Sequence, residues 1–90
     1  MSEAAETAAF DALREMYAEA EPSLDFDDVL DNPEEYGDGW YSEHYLDGDR
    51  QQEIVEKHCD KHRLRSAERM QVSMTAILNY GPSSVKDNGR

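Results

Sequence analysis

The fold is decided by residues 49–82, which read DRQQEIVEKHCDKHRLRSAERMQVSMTAILNYGP. Helix-forming residues and a helical spacing of apolar side chains predict one helix over about 49–63 and a second over about 67–79. The few residues between them leave room for a turn, and Gly81-Pro82 follows in the order that ends a helix. The stretch therefore predicts an αα-hairpin at the C-terminal end of the chain.

The same spacing predicts which side of each hairpin helix faces the core. The inner face of the first helix is expected to consist of Ile54, Val55, His58, Cys59 and His62. The inner face of the second is expected to consist of Ala67, Met70, Met74, Ile77 and Leu78. Asp49 with Gln52 has the spacing of a capping box, and Ser66 is placed to cap the second helix. Leu64, in the turn, is expected to be buried.

Upstream of the hairpin, residues 2–20 predict a long helix. They are rich in Ala and Glu, and their apolar stripe consists of Ala9, Phe10, Leu13, Met16, Tyr17 and Ala20. Glu21-Pro22 ends this helix, because proline disfavours helical geometry in the residue before it. Asp25 is then placed to cap one short helical turn, and Asn32-Pro33 has the form of another helix start.

The remaining segment before the hairpin is dense in aromatic residues. Residues 40–46 favour a short helix, and one end of the core is expected to be closed by Tyr36, Trp40, Tyr41 and Tyr45. No segment alternates apolar and polar residues over the length of a half-buried strand. The sequence therefore predicts an all-α fold: a small bundle of three main helices with one or two short helical turns. We expect a single domain over 1–82 and a polar tail over 83–90.

The charge is concentrated in one half of the chain. The 90 residues hold 21 acidic and nine basic side chains, a net charge of −12. Residues 1–49 hold sixteen acids and one base, a net of −15, whereas residues 50–90 hold five acids and eight bases, a net of +3. The simplest interpretation is that the two halves pack together and offset part of each other's charge. The alternatives are an interaction surface or a halophilic, solubilising surface.

Composition excludes several classes of protein. So acidic a chain is repelled by phosphate, which disfavours bulk binding to nucleic acid or anionic lipid. No apolar run approaches the roughly 18–20 residues of a membrane span, and no leader segment is evident, so a cytoplasmic protein is expected. A single cysteine, Cys59, forms no internal disulfide. No glycine-rich phosphate loop or nucleophile motif is present, so we expect no enzyme and no cofactor.

One set of residues has some of the character of a zinc site: His44, His58, Cys59 and His62. Imidazole and thiolate at i, i+3 and i+4 on one helix can bind zinc. Structural zinc sites usually have paired ligands on both arms, and here the second arm is a lone histidine. We therefore expect no metal, with His58 facing the core, His62 at a helix C-terminus and Cys59 as a small apolar filler.

Several segments resemble small acidic proteins encoded by bacteriophages of actinobacteria. They are Trp40-Tyr41, Arg50-Gln51-Gln52-Glu53-Ile54-Val55, Ser73 and Gly81-Pro82-Ser83, and the resemblance covers about half of the chain. It implies a phage accessory protein that engages a host protein, and it assigns no activity and no site residues. A haloarchaeal origin would explain the acidity equally well, although a halophilic surface should spread its acid over both halves.

The function predicted is a non-enzymatic protein–protein interaction module that binds a basic protein, with DNA mimicry as one form of it. The partner-binding residues predicted are Asp25, Asp27, Asp28, Asp31, Glu34, Glu35, Tyr36, Trp40 and Tyr41. The alternative is a small helix-turn-helix DNA-binding regulator that uses residues 50–80. Its contact residues would be Arg63, Arg65, Arg69 and Gln71. A homodimer through exposed Met and Tyr side chains also stays open.

Overall fold

The computed structural model describes residues 2–32, 35, 44, 46–78 and 80. Over these residues the chain forms helices and no strand. The helices are α1 (Glu3–Ala20), α2 (Phe26–Asp31), α3 (Gly48–Lys61) and α4 (Ser66–Leu78). α1 packs against both helices of the α3–α4 hairpin, and the short α2 packs on α1. The predicted all-α bundle of three main helices with a C-terminal αα-hairpin is confirmed.

Some sequence-based predictions lie outside the described residues. They are the aromatic closure by Tyr36, Trp40, Tyr41 and Tyr45, the polar tail over 83–90, and the short helix over 40–46 except at His44 and Leu46, which are described and not helical.

α1 begins where its sequence predicts. The Ser2 hydroxyl accepts a hydrogen bond from the backbone N–H of Ala5 at 3.2 Å, so Ser2 caps the helix. The face turned to the core consists of Ala5, Ala8, Ala9, Ala12, Leu13, Met16 and Tyr17. Phe10 was expected on this face, but it is 44% exposed. The alanines at the N-terminal end let α3 and α4 approach closely, and they fill that part of the core without Phe10.

α3 begins and ends at other residues than those predicted. Its cap is Asp47, whose carboxylate accepts from the backbone N–H of Arg50 at 3.0 Å, and not Asp49. A capping side chain reaches the N–H three residues on, and Arg50 stands three after Asp47. The helix ends at Lys61, two residues early, because Arg63 adopts a left-handed backbone conformation with φ 54°.

The turn after α3 is a Schellman motif. The N–H of Leu64 bonds to the carbonyl of Cys59 at 3.1 Å, and the N–H of Arg63 bonds to the carbonyl of Asp60 at 3.1 Å. The motif brings Leu64 back over the end of α3, where it is buried beside Cys59 in the core. The prediction that Leu64 is buried in the turn is confirmed.

α4 buries a different face from the one predicted. Its buried residues are Val72 and Ala76, whereas Met70, Met74 and Leu78 are 66%, 57% and 68% exposed. Val72 and Ala76 share the core with the alanines of α1, where the space between the helices suits small side chains. Ser66 is the first residue of this helix and not its cap. The prediction of a methionine-lined inner face is wrong.

Two tyrosines, Tyr17 and Tyr80, pack against each other near the C-terminal end of α1. The Tyr17 hydroxyl donates to the backbone carbonyl of Tyr80, and the two rings meet edge to face at 5.3 Å. The Tyr80 hydroxyl in turn donates to the carbonyl of His44 and accepts from the N–H of Leu46, each at 3.3 Å. Tyr80, which follows α4, therefore joins α1 to the segment before α3.

Candidate interaction surface

The α2 helix displays the acidic residues predicted to bind a partner. Asp25 caps α2, its carboxylate accepting from the N–H of Asp27 at 3.0 Å. Asp25, Asp27 and Asp31 are exposed, and Asp28 is half-buried with its carboxylate accepting from the Asn32 side chain at 2.9 Å. The structure thus brings four of the predicted acidic residues together on one short helix.

Of the other residues predicted to bind a partner, the structure describes only Glu35. Glu35 is exposed, whereas Glu34, Tyr36, Trp40 and Tyr41 lie outside the described residues. The structure therefore locates five of the predicted acidic residues, and partner binding by any of the predicted residues remains a prediction.

α2 is held to α1 by one aromatic contact and one arginine. Phe26 is buried, with its ring 5.4 Å from that of Tyr17. The Arg14 guanidinium lies 5.2 Å from the centre of the Phe26 ring and reaches Asp27 at 3.4 Å. Arg14 and Phe26 therefore hold α2 against α1, and Asp25 and Asp31 are exposed residues.

Ion pairs between the two halves of the chain converge on α1. The Arg50 guanidinium donates to Glu19 at 2.6 Å, and both Lys57 and His58 contact Glu15, the latter at 2.8 Å. These pairs agree with the interpretation that the halves offset part of each other's charge. The hydrogen bond from Arg50 lowers the pKa of Glu19 below its usual range.

The pKa of Glu15 is set by two opposing effects. Burial on its own would raise it, but the hydrogen bonds from Lys57 and His58 outweigh burial, so the pKa of Glu15 lies below its usual range. The carboxylate therefore stays ionised at neutral pH at the seam between α1 and α3.

His44, His58, Cys59 and His62 each have different surroundings in the fold. His44 lies 3.5 Å from Glu21, His58 contacts Glu15, and Cys59 is buried in the hairpin, where burial raises the pKa of its thiol. His62 caps the C-terminus of α3. In the part of the chain that the structure describes, no group of three or more such side chains is close enough to hold a metal ion.

The residues of the DNA-binding alternative surround the hairpin turn. Arg63, Arg65 and Gln71 are exposed. Arg69 is half-buried, donates to the carbonyl of Leu64 at 2.9 Å and pairs with Asp60. Arg69 therefore stabilises the turn, and its guanidinium is not directed outward as a base-reading side chain would be.

The hairpin carries an apolar stripe beside an acidic edge, and helical spacing alone does not predict it. The stripe is formed by Met70, Met74 and Leu78 on the outer side of α4. The edge is formed by four exposed carboxylates on α3: Asp49, Glu53, Glu56 and Asp60. Their spacing of four, three and four residues could have shown that they share one helix face. Helical spacing does not reveal the stripe as exposed, because methionine is more hydrophobic than alanine and is therefore predicted to face the core.

Comparison with known proteins gives no relative. No protein-family model, no curated protein and no solved structure matches the chain. Within the described ranges, no helix is both long and apolar enough to cross a membrane.

Proposed function

We propose that this protein is a non-enzymatic interaction module that binds a basic protein partner through an acidic surface centred on α2. The observation that carries the proposal is the exposure of the acidic residues of α2. Arg50 and Lys57 pair with Glu19 and Glu15 on α1, and Asp25, Asp27 and Asp31 on α2 are exposed. A surface of this kind attracts a basic partner and speeds its association.

The aromatic residues predicted beside α2 belong to the same proposal. Tyr36, Trp40 and Tyr41 follow α2 in sequence together with Glu34. Aromatic side chains are enriched at the centres of interfaces, and an acidic rim around them suits a basic partner. DNA mimicry is one form of such binding, with carboxylates in place of phosphates. From the resemblance to phage-encoded proteins we further propose a bacterial host protein as the partner, bound in the cytoplasm.

The proposal is tested by neutralising α2. Asp25→Asn, Asp27→Asn and Asp31→Asn together remove three charges, and asparagine at position 25 keeps the helix cap. The matched control removes three charges from α1 with Glu3→Gln, Glu6→Gln and Asp11→Asn. We expect basic proteins captured by the wild type from a bacterial lysate at low salt to be lost with the α2 variant and retained with the α1 control. Equal retention by both variants would refute the α2 surface.

The DNA-binding alternative receives less support from the hairpin. Arg69 is engaged in the turn, and the outer side of α4 carries Met70 and Met74 where a recognition helix needs polar side chains. A gel-shift measurement at low salt separates the two functions. Tight binding of duplex DNA that is lost in Arg63→Gln with Arg65→Gln would favour the alternative and contradict our proposal.

A further inference from the structure

The outer side of the α3–α4 hairpin carries a second surface, on the side away from α1. Met70, Met74 and Leu78 are spaced by four residues, so they form one continuous line on α4. Each is more than half exposed, in a chain with few large apolar residues. Single exposed apolar residues are common, but a continuous stripe on one helix indicates a surface that a partner covers.

A groove runs beside this stripe between α3 and α4. It has a volume of about 220 Å³, and Val55 and Cys59 lie at its base. Met70 and Met74 form one wall, and Glu56 belongs to the other. Methionine is flexible and polarizable, so such a wall adapts to the side chains that enter the groove.

The groove is also framed by the hydrogen bonds that hold the two helices together. The Ser73 hydroxyl donates to the Gln52 side chain at 2.8 Å, and Arg69 bridges Asp60 and the carbonyl of Leu64. These contacts fix the spacing of α3 and α4 without filling the groove. A partner would therefore meet a surface that is largely formed in advance.

The exposed edge of α3 beside the groove carries a row of acidic residues, and Arg69, the cation that lines the groove, is paired with Asp60. Asp49, Glu53, Glu56 and Asp60 line the exposed edge of α3. Glu53 is 3.9 Å from Arg50 and Asp60 pairs with Arg69, while Asp49 and Glu56 have no ion pair among the described residues. An apolar wall facing a row of carboxylates complements a helix with an apolar face and Lys or Arg along its flank.

A second copy of the chain fits this surface less well. An α4 helix docked from another copy would present one cation to the acidic edge, Arg69. That arginine is already engaged by Asp60 and the carbonyl of Leu64. The carboxylates of α3 would then gain no partner, so charge complementarity favours a basic helix over a homodimer.

We propose that the α3–α4 groove binds a basic amphipathic helix of a partner protein. The apolar face of that helix packs on Met70 and Met74, and its Lys or Arg side chains pair with Glu53 and Glu56. This inference rests on the proposed interaction function and names a second surface for it, lined by residues of α3 and α4 and by none of α2. The two surfaces are tested with different variants, so one can fail while the other holds.

The test uses a synthetic peptide of about 18 residues, long enough to form a helix on binding, with leucines on one face and lysines on the other. Two further peptides serve as probes: one with the same residues in shuffled order, and one with glutamate in place of lysine. We expect the first peptide to bind the full chain and the other two to bind at least about tenfold more weakly in fluorescence anisotropy. Equal binding of the shuffled or the acidic peptide would overturn the proposal.

Two variants locate the bound peptide. Met70→Ser with Met74→Ser removes the apolar wall, and Glu53→Gln with Glu56→Gln removes charge without touching the core. Each is expected to weaken binding at least about tenfold, whereas the α1 control, Glu3→Gln with Asp11→Asn, stays within about twofold. An equal loss in the control would show unspecific attraction to an acidic chain and would overturn the proposal. The charge variant keeps the test valid if the methionine variant fails to fold.

Methionine methyl NMR supplies an independent readout. The methyl signals of Met70 and Met74 should shift on addition of the peptide, while that of Met16, buried in the core, should not. Light scattering of the chain alone tests whether a second copy of the chain occupies the groove. A dimer that is lost in Met70→Ser with Met74→Ser would assign the groove to a second copy and overturn the proposal.

Discussion

At the scale of single residues, Arg63 is held in a backbone conformation that suits glycine. Its φ of 54° lies in the left-handed region, which costs a non-glycine residue about 1–2 kcal/mol. The Schellman motif requires this conformation at the position where Arg63 stands, because both of its hydrogen bonds depend on the reversal of the chain. The turn therefore stores strain that the hairpin overcomes by burying Leu64.

Glycine at position 63 should relieve this strain. We expect Arg63→Gly to raise the free energy of unfolding by roughly 0.5–1 kcal/mol, since glycine gains in the folded turn but costs more entropy in the unfolded chain. Chemical denaturation measures the change. Arg63→Ala is the control, because it removes the same charge and keeps the left-handed strain. If the glycine variant is no more stable than the alanine variant, the prediction that the backbone of Arg63 is strained is wrong.

The Tyr17 hydroxyl is the second residue-scale feature with a measurable effect. It donates to the carbonyl of Tyr80 in a buried environment. Tyr17→Phe keeps the ring and removes the hydroxyl that donates this buried hydrogen bond, so we expect the free energy of unfolding to fall by about 1–3 kcal/mol. Thermal or urea unfolding checks the value. An unchanged stability would show that water or another donor replaces the hydroxyl.

At the scale of the helix, α4 illustrates how two faces of one sequence compete for the core. The more hydrophobic face, with Met70, Met74 and Leu78, points outward, and the face with Val72 and Ala76 points inward. The alanines of α1 leave a narrow space, and packing into that space decides the rotation of α4 more strongly than the hydrophobicity of its side chains. Helical spacing alone could not predict this, because it describes one helix without its neighbour.

The orientation of α4 has a direct mutational test. Val72→Ala should lower the free energy of unfolding by roughly 1–2 kcal/mol, since it deletes two buried carbon atoms and leaves a cavity. Met74→Ala should change it by no more than about 0.5 kcal/mol, because Met74 is exposed. Denaturant unfolding of both variants gives the comparison. A larger loss for Met74→Ala would restore the orientation that the sequence pattern favoured.

How much of the fold follows from the sequence depends on the kind of signal. Helical spacing and the Pro22 and Leu64 positions predict the helices and the hairpin correctly. The acidic residues of α2 are found by composition alone. Tyr80 and the cap Asp47 are missed, because both lie outside the periodic segments and act through contacts distant in sequence or through local backbone geometry.

At the scale of the whole molecule, the seams of the bundle are held by carboxylates that must stay ionised. The pKa of Glu15 and of Glu19 lies below the ordinary value of 4.5, and hydrogen bonds from Ser23 lower that of Glu21 as well. A carboxyl with a lower pKa in the folded than in the unfolded chain stabilises the fold above its unfolded pKa. That stabilisation is lost as the pH falls through the folded pKa.

We therefore expect the free energy of unfolding to decrease as the pH falls below about 4.5. Glu19→Gln and Arg50→Gln each remove one partner of the same ion pair, so both should make this decrease shallower. Lys61→Gln is the control, since Lys61 is exposed and has no ion pair among the described residues. Urea unfolding between neutral and acidic pH gives the slopes. If the free energy of unfolding decreases with falling pH as steeply in both pair variants as in the wild type, Glu19 does not contribute to this pH dependence.

The contact between Tyr17 and Tyr80 has a further consequence for the time at which the fold forms. It joins positions 63 residues apart, so it closes a long loop of chain. On the ribosome, all four helices are made before Tyr80, so the Tyr17 ring can meet that of Phe26 before the hydrogen bond to Tyr80 forms. The hydrogen bond that joins α1 to the segment after α4 therefore forms only after the residues of all four helices have been made.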